Sequence, residues 1–233
     1  METVTPMTSR RRLVWTASAL LIACGLSIAT VMLARRAAGA DVDTLADLAV
    51  AAAIAQRPAS APANEANVQA MKPLMRRMIS LFPVLVVVGT LVSTGFFSGV
   101  LTVAYRIAAV GTTWPMVFAA CCTGAAAQAL VRFVVTMIVI YVIKRPVSAE
   151  SLIDNTFVTL DARAFLADDA GRVLVALASK IDLLAVTFVV GIVAYLEEEG
   201  FGAKTRSIIV ATALCYGLWT VLSVGWAALW SMM

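Results

Sequence analysis

Residues 114–143 read WPMVFAACCTGAAAQALVRFVVTMIVIYVI: thirty residues with a single charge, Arg132. As a helix at 1.5 Å per residue this run is about 45 Å long, more than a bilayer's apolar core of about 30 Å. A soluble helix of that length would alternate apolar and charged faces, and this one does not. The stretch therefore predicts a membrane-spanning helix that tilts or protrudes, and an all-α membrane fold around it.

The rest of the chain agrees. Of 233 residues, 61% are hydrophobic and 14% charged, and the mean hydropathy is +0.92. Soluble domains carry about 25% charged residues. The net charge of +4 comes from short basic clusters at the ends of apolar runs, which is anchor patterning and not a nucleic-acid-binding face.

Four further spans are expected at Leu13–Leu33, Ser80–Ile107, Leu174–Leu196 and Ser207–Trp230, which places the termini on opposite sides. The first is longer than a signal-peptide core and is followed by Arg35 and Arg36, so it reads as a retained span. The expected organisation is a basic tail over 1–12, a first span over 13–34, a polar loop with an amphipathic helix over 35–79, and a four-span domain over 80–233. In that loop RPASAPAN (57–64) is a breaker. After it Val68, Met71, Met75, Met78, Ile79 and Phe82 share one helical face, with Glu65, Gln69, Lys72 and Arg76 opposite. This helix is expected to lie on the membrane surface or against the bundle. Asp168 and Asp169 fit the start of the fourth helix.

Chemistry is constrained by what is missing. There is no histidine, which removes the commonest general base and any Ser-His-Asp or Cys-His arrangement. Cys24, Cys121, Cys122 and Cys215 all lie in apolar segments and read as small buried hydrophobes, not a disulfide framework. No catalytic residue, metal ligand or cofactor is expected.

In lipid, helices associate through small residues that let backbones approach. Gly95 and Gly99 form such a pair in the second span. Gly124 sits in the small run 119–127 of the third, and Ala213 and Gly217 repeat the spacing in the fifth. Three of the polar residues inside the spans form a candidate group, Gln128, Arg132 and Asp182, with Lys180 able to compete for the Asp182 carboxylate or to snorkel outward. An intramembrane arginine costs about 3 kcal/mol on insertion scales, so it needs a reason. Arg132 can snorkel to a headgroup, pair with Asp182 across antiparallel helices, or line a polar path with Gln128 one turn away. Glu197, Glu198 and Glu199 close the fourth helix, where the dipole disfavours acids. They read as a solvated turn or as a contact for a basic partner.

Lys and Arg near span ends count six on each side: Arg10, Arg11, Arg12, Arg106, Lys204 and Arg206 against Arg35, Arg36, Arg76, Arg77, Lys144 and Arg145. The longer loops tip the balance slightly toward the second set.

ASKIDLLAVTFVVGIVAYLEEEGFGAKTRSIIVATALCYGLWTVLSVGWAAL (178–229) resembles the last two spans of the Ypt-interacting-protein (YIP) family in its bacterial form. The likeness rests on Ile181-Asp182-Leu183-Leu184, Gly191, the Gly200 to Lys204 turn, and Trp219 with Gly225. SLFPVLVVVGTLVSTGFFSGVLTVAYRIAAVGTTWPMVFAACCTG (80–124) and NTFVTLDARAFL (155–166) extend it over about 81–229. Val186-Thr187-Phe188, where the family often has tryptophan, and the acidic Glu197–Glu199 depart from it. The resemblance implies a non-enzymatic inner-membrane protein with its N-terminus inside. Its partner would be another membrane protein, an ABC-type exporter subunit foremost, or a second copy. The alternative from the residues alone is a small permease or channel lined by Gln128, Arg132 and Asp182.

Overall fold

A long apolar run leaves the backbone only itself as hydrogen-bond partner, and the helix is the local solution. The computed structural model describes residues 7–55, 65–143, 147–149, 152 and 183–232, with backbone alone beyond Leu218. Among these there is no strand. The helices are α1 (Ser9–Ala37), α2 (Val42–Ala55), α3 (Glu65–Ser80), α4 (Phe82–Ile107), α5 (Trp114–Met137), α6 (Leu183–Leu196) and α7 (Thr205–Met232). A π-helical turn, Ile138–Val142, lengthens α5. A second, Glu197–Phe201, and a short 3₁₀ turn, Gly202–Lys204, join α6 to α7.

Among the described residues three helices are long and apolar enough to cross a bilayer: α1, α4, and α5 with its π extension. Only 28%, 17% and 11% of their most apolar windows are buried. Side chains such as Leu21, Val92, Phe96, Val103 and Val134 point outward, which in water would be an aggregation surface and in lipid is the expected face. These helices mark a membrane protein. The predicted fourth span is described only from Leu183, and the fifth corresponds to the 28-residue α7. The linker 57–64, most of the loop 144–172, Asp168, Asp169 and the helix entry through Asp182 lie outside the described residues.

Arg10, Arg11 and Arg12 do not form a tail ahead of the first span. They are the first turn of α1, because arginine is a good helix former and nothing before Leu13 breaks the helix.

The chain divides into two units, neither continuous in sequence. One comprises residues 1–25, 90–131 and 159–233, the other 26–89 and 132–158, so α1, α4 and α5 each contribute to both. In the second unit α1 ends in a Schellman motif. Gly39 takes a left-handed φ of 62°, and the Ala40 and Gly39 amides donate to the carbonyls of Arg35 and Arg36. Asp41 then caps α2, accepting the Thr44 amide at 2.7 Å, and this bond holds its carboxyl below the usual range. α3 packs along α2. Lys72 pairs with Asp47 at 2.7 Å and Arg76 with Asp43 at 2.5 Å, while Leu74 and Met78 stay exposed. Such exposed pairs contribute about 0–1 kcal/mol each and set register more than stability.

The first unit holds the core. Leu101 and Tyr105 of α4, Val117, Ala119, Ala120 and Cys121 of α5, Ile192, Tyr195 and Leu196 of α6, and Ile208 and Ala211 of α7 form one cluster. Inside it the Tyr105 hydroxyl lies 2.6 Å from the Thr212 hydroxyl. Thr212 spends its own proton on the Ile208 carbonyl at 2.7 Å, so Tyr105 is the donor between α4 and α7.

α4 also ends in a Schellman motif, but with alanine at the left-handed position. Ala109 has φ 53°, with Val110 N–H to the Tyr105 carbonyl at 2.9 Å and Ala109 N–H to that of Arg106 at 3.1 Å. A non-glycine residue costs about 1–2 kcal/mol there. Ala109→Gly is therefore expected to stabilise the protein by about 1 kcal/mol, read as a higher midpoint in thermal unfolding in detergent.

Candidate functional site

The densest polar arrangement among the described residues joins three parts of the first unit. α1 begins at Ser9 and places Arg12 one turn in. α6 runs out through the Glu197–Phe201 π turn, which rotates Glu199 inward while Glu197 and Glu198 stay exposed. The Arg12 guanidinium grips Glu199 with both ends of its fork: Nε donates to Oε1 at 3.0 Å and Nη2 to Oε2 at 2.9 Å. Tyr195, one turn back on α6, donates its hydroxyl to Oε1 at 2.8 Å. Arg12 Nη2 also reaches the Met7 carbonyl at 3.3 Å. The Glu199 side chain is wholly buried and that of Arg12 about one-fifth exposed.

Burial pushes the Glu199 carboxyl upward. The hydrogen bonds from Arg12 and Tyr195, with the Arg12 charge, together outweigh it and hold the group below its ordinary value. With three side-chain donors around it the carboxylate has little capacity left to act as a base or a ligand. The cluster is a latch that ties the start of α1 to the turn between α6 and α7.

Two further ties meet nearby. Lys204 Nζ donates to the carbonyls of Ala109 and Val110, at 2.7 and 3.0 Å, pinning the α4–α5 loop to the start of α7. Trp15 Nε1 donates to the Thr123 hydroxyl at 2.9 Å, joining α1 to α5. Glu197 accepts a hydrogen bond from the Thr205 hydroxyl at 2.7 Å.

The residues singled out in the sequence fall in different places. Glu197 and Glu198 sit at the surface, as a solvated turn or partner contact would need. Glu199 departs from both readings, because its carboxylate is turned in and consumed by Arg12 and Tyr195. Gln128 and Arg132 are half-buried on one helix, and Asp182 lies outside the described residues, so the proposed Arg132–Asp182 pair does too. Cys24, Cys121 and Cys122 are buried free thiols and Cys215 is half-buried. No cluster of His, Cys, Asp or Glu among the described residues could hold a metal.

The small-residue faces divide sharply. A Cβ on Gly124 would stand 2.6 Å from the Phe188 carbonyl oxygen, and one on Gly191 2.8 Å from the Gly124 Cα. The backbones of α5 and α6 touch there, and Phe97 closes edge-on against Phe188 beside them, at 5.5 Å between centroids. Gly95, Gly99 and Gly217, by contrast, have nothing within 4 Å of an added Cβ. Among the described residues Gly124 is thus a point of close helix contact, while Gly95, Gly99 and Gly217 face open space.

No family model, curated protein or solved structure matches this chain.

The latch was not legible in the sequence. Arg12 and Glu199 are 187 positions apart. The only hint was three acids at a helix C-terminus, where the dipole repels them and some compensation is required.

Proposed function

We propose that this chain is a five-span protein of the bacterial inner membrane, of the YIP type, that acts without catalysis by holding another integral membrane protein. An ABC-type exporter subunit is the leading partner. In this reading the fourth span includes α6 and the fifth is α7. The observation that carries the reading is the unused small-residue surface. Gly95 and Gly99 lie open on α4, and Ala213 and Gly217 line an apolar groove of about 740 Å³ between α6 and α7, with Val186, Val190 and Ile209 on its walls. Surfaces of this kind let a further helix approach closely, while Arg12, Glu199, Tyr195, Tyr105 and Thr212 are spent on internal ties. An inward N-terminus rests on the family resemblance alone, against the slight lean of the loop cations toward the other side.

The test is affinity purification in mild detergent. A single membrane protein is expected to co-elute at fixed ratio, and to be lost with Gly99→Leu or Gly217→Leu while the unfolding midpoint holds. Elution of the chain alone would defeat the proposal. So would solute flux from proteoliposomes containing only this chain, which would favour the permease reading.

A further inference from the structure

Two grooves border α7, and their mouths differ in charge. The groove toward α6 carries Glu197. The groove toward α4, about 460 Å³, carries Arg206 and Ser207 at its polar end. Below them Val210, Ala211, Leu214 and Cys215 descend α7, facing Ala104, Ile107 and Ala108 of α4. From Arg206 to Cys215 is nine residues, or about 13 Å of helix, nearly half the thickness of a bilayer's apolar core.

Arg206 is exposed, and no carboxylate lies within ion-pair distance of it among the described residues. The neighbouring Lys204 is directed instead onto the Ala109 and Val110 carbonyls. Arg10, Arg11 and Arg106 are likewise exposed and form no ion pair among the described residues, whereas Arg12 and Glu199 cancel one another. Among the described residues, this end of the first unit therefore has five cations, Lys204 and Arg206 among them, against the exposed carboxylates Glu197 and Glu198.

We propose that the α4–α7 groove is a binding site for an anionic phospholipid, with Arg206 and Ser207 on the phosphate and an acyl chain along Val210 and Leu214. A permanent guanidinium at the mouth of an apolar track about 13 Å long matches a charged head on a hydrocarbon tail. A transmembrane helix of a partner would bring no charge to Arg206 and would leave it uncompensated. The opposite charge at the mouth of the α6–α7 groove makes the two sites distinguishable.

The experiment is native mass spectrometry of the purified chain with added phosphatidylglycerol or phosphatidylcholine, read beside alkylation of Cys215. This half-buried thiol lies at the deep end of the groove, while Cys24, Cys121 and Cys122 are buried. Phosphatidylglycerol is expected to be retained preferentially and to slow Cys215 alkylation. Arg206→Gln should weaken retention about fivefold, in line with the strength of one basic residue at an anionic surface. Arg206→Lys should restore most of it, and Val210→Trp should abolish the Cys215 protection with the charge intact. Equal retention of the two lipids, no response to Arg206→Gln, or a dimer mass in place of bound lipid would each overturn the proposal.

Discussion

Gly191→Ala is expected to be the most damaging single-methyl change in this protein, with Gly124→Ala close behind. The new Cβ of Gly191 would meet the Gly124 Cα at 2.8 Å and its amide nitrogen at 3.1 Å. That of Gly124 would meet the Phe188 carbonyl oxygen at 2.6 Å and the Phe188 ring at 2.9 Å. These are mostly backbone atoms, which cannot rotate away as a side chain can. The helices must separate, and the core around Cys121, Ile192 and Tyr195 separates with them. Overpacking a core costs about 1–3 kcal/mol, and contact with backbone puts this case at about 3 kcal/mol or above. The check is thermal unfolding in detergent followed by a thiol-reactive dye, which reports exposure of the buried Cys24, Cys121 and Cys122. Gly95→Ala and Gly99→Ala are the internal control. Nothing lies within 4 Å of either, and alanine is the better helix former, so their midpoints should hold or rise slightly. If Gly191→Ala unfolds with Gly95→Ala, the close crossing of α5 and α6 does not exist.

Cutting the latch on one side is expected to cost about 3–5 kcal/mol, because the remaining charge is left buried without its partner. Arg12→Ala strands the Glu199 carboxylate, whose side chain has no exposure, and should be the worse of the two. Glu199→Ala leaves an arginine that is one-fifth exposed and can turn to water, so it should fall at the lower end. The double variant should cost much less than the sum, and that non-additivity in the same unfolding assay is the signature of direct pairing. Additive losses would mean the two residues stabilise the fold separately.

The latch also predicts a pH response with a definite sign. The Glu199 carboxyl is held below its ordinary value of 4.5 in the folded protein. Its contribution is therefore complete above the unfolded value of 4.5 and is lost as pH falls through the lower folded value. Wild-type stability should drop in that acid window more steeply than that of Glu199→Gln, which carries no titratable group there. Parallel pH profiles for the two proteins would count against the pairing.

How far the sequence reaches can be judged from particular residues. The extents of α1, α4 and α5 follow from uninterrupted apolar runs and from breaks such as Gly39 and Gly111, both with positive φ. Those are local properties, encoded wherever the run begins and ends. Gly124 was marked as a packing residue by its small neighbours, and in the structure its backbone lies against Gly191 and Phe188. The same signal at Gly95 and Gly99 is met by open surface. A motif states that a helix can be approached closely. It does not state whether the approaching helix belongs to the same chain.

The amphipathic α3 shows the same division. Its polar face was legible in the spacing of Lys72 and Arg76, but α2 as the element it lies along was not. The acids that pair with it, Asp43 and Asp47, sit across the linker 57–64 and read as ordinary helix-surface charges.

What the sequence alone determined was the solvent: charge too sparse for water, apolar runs of bilayer length, and no histidine for the common hydrolytic chemistries. What only the tertiary structure decided was which polar groups are spent and which are open. Arg12 and Glu199, 187 residues apart, neutralise one another, while Arg206, two positions from the committed Lys204, keeps its charge outward. The physical reason is range. Helix formation and membrane partition are read over a few turns of contiguous chain, whereas an ion pair depends on two side chains meeting within about 3 Å, and only the packed fold sets that distance.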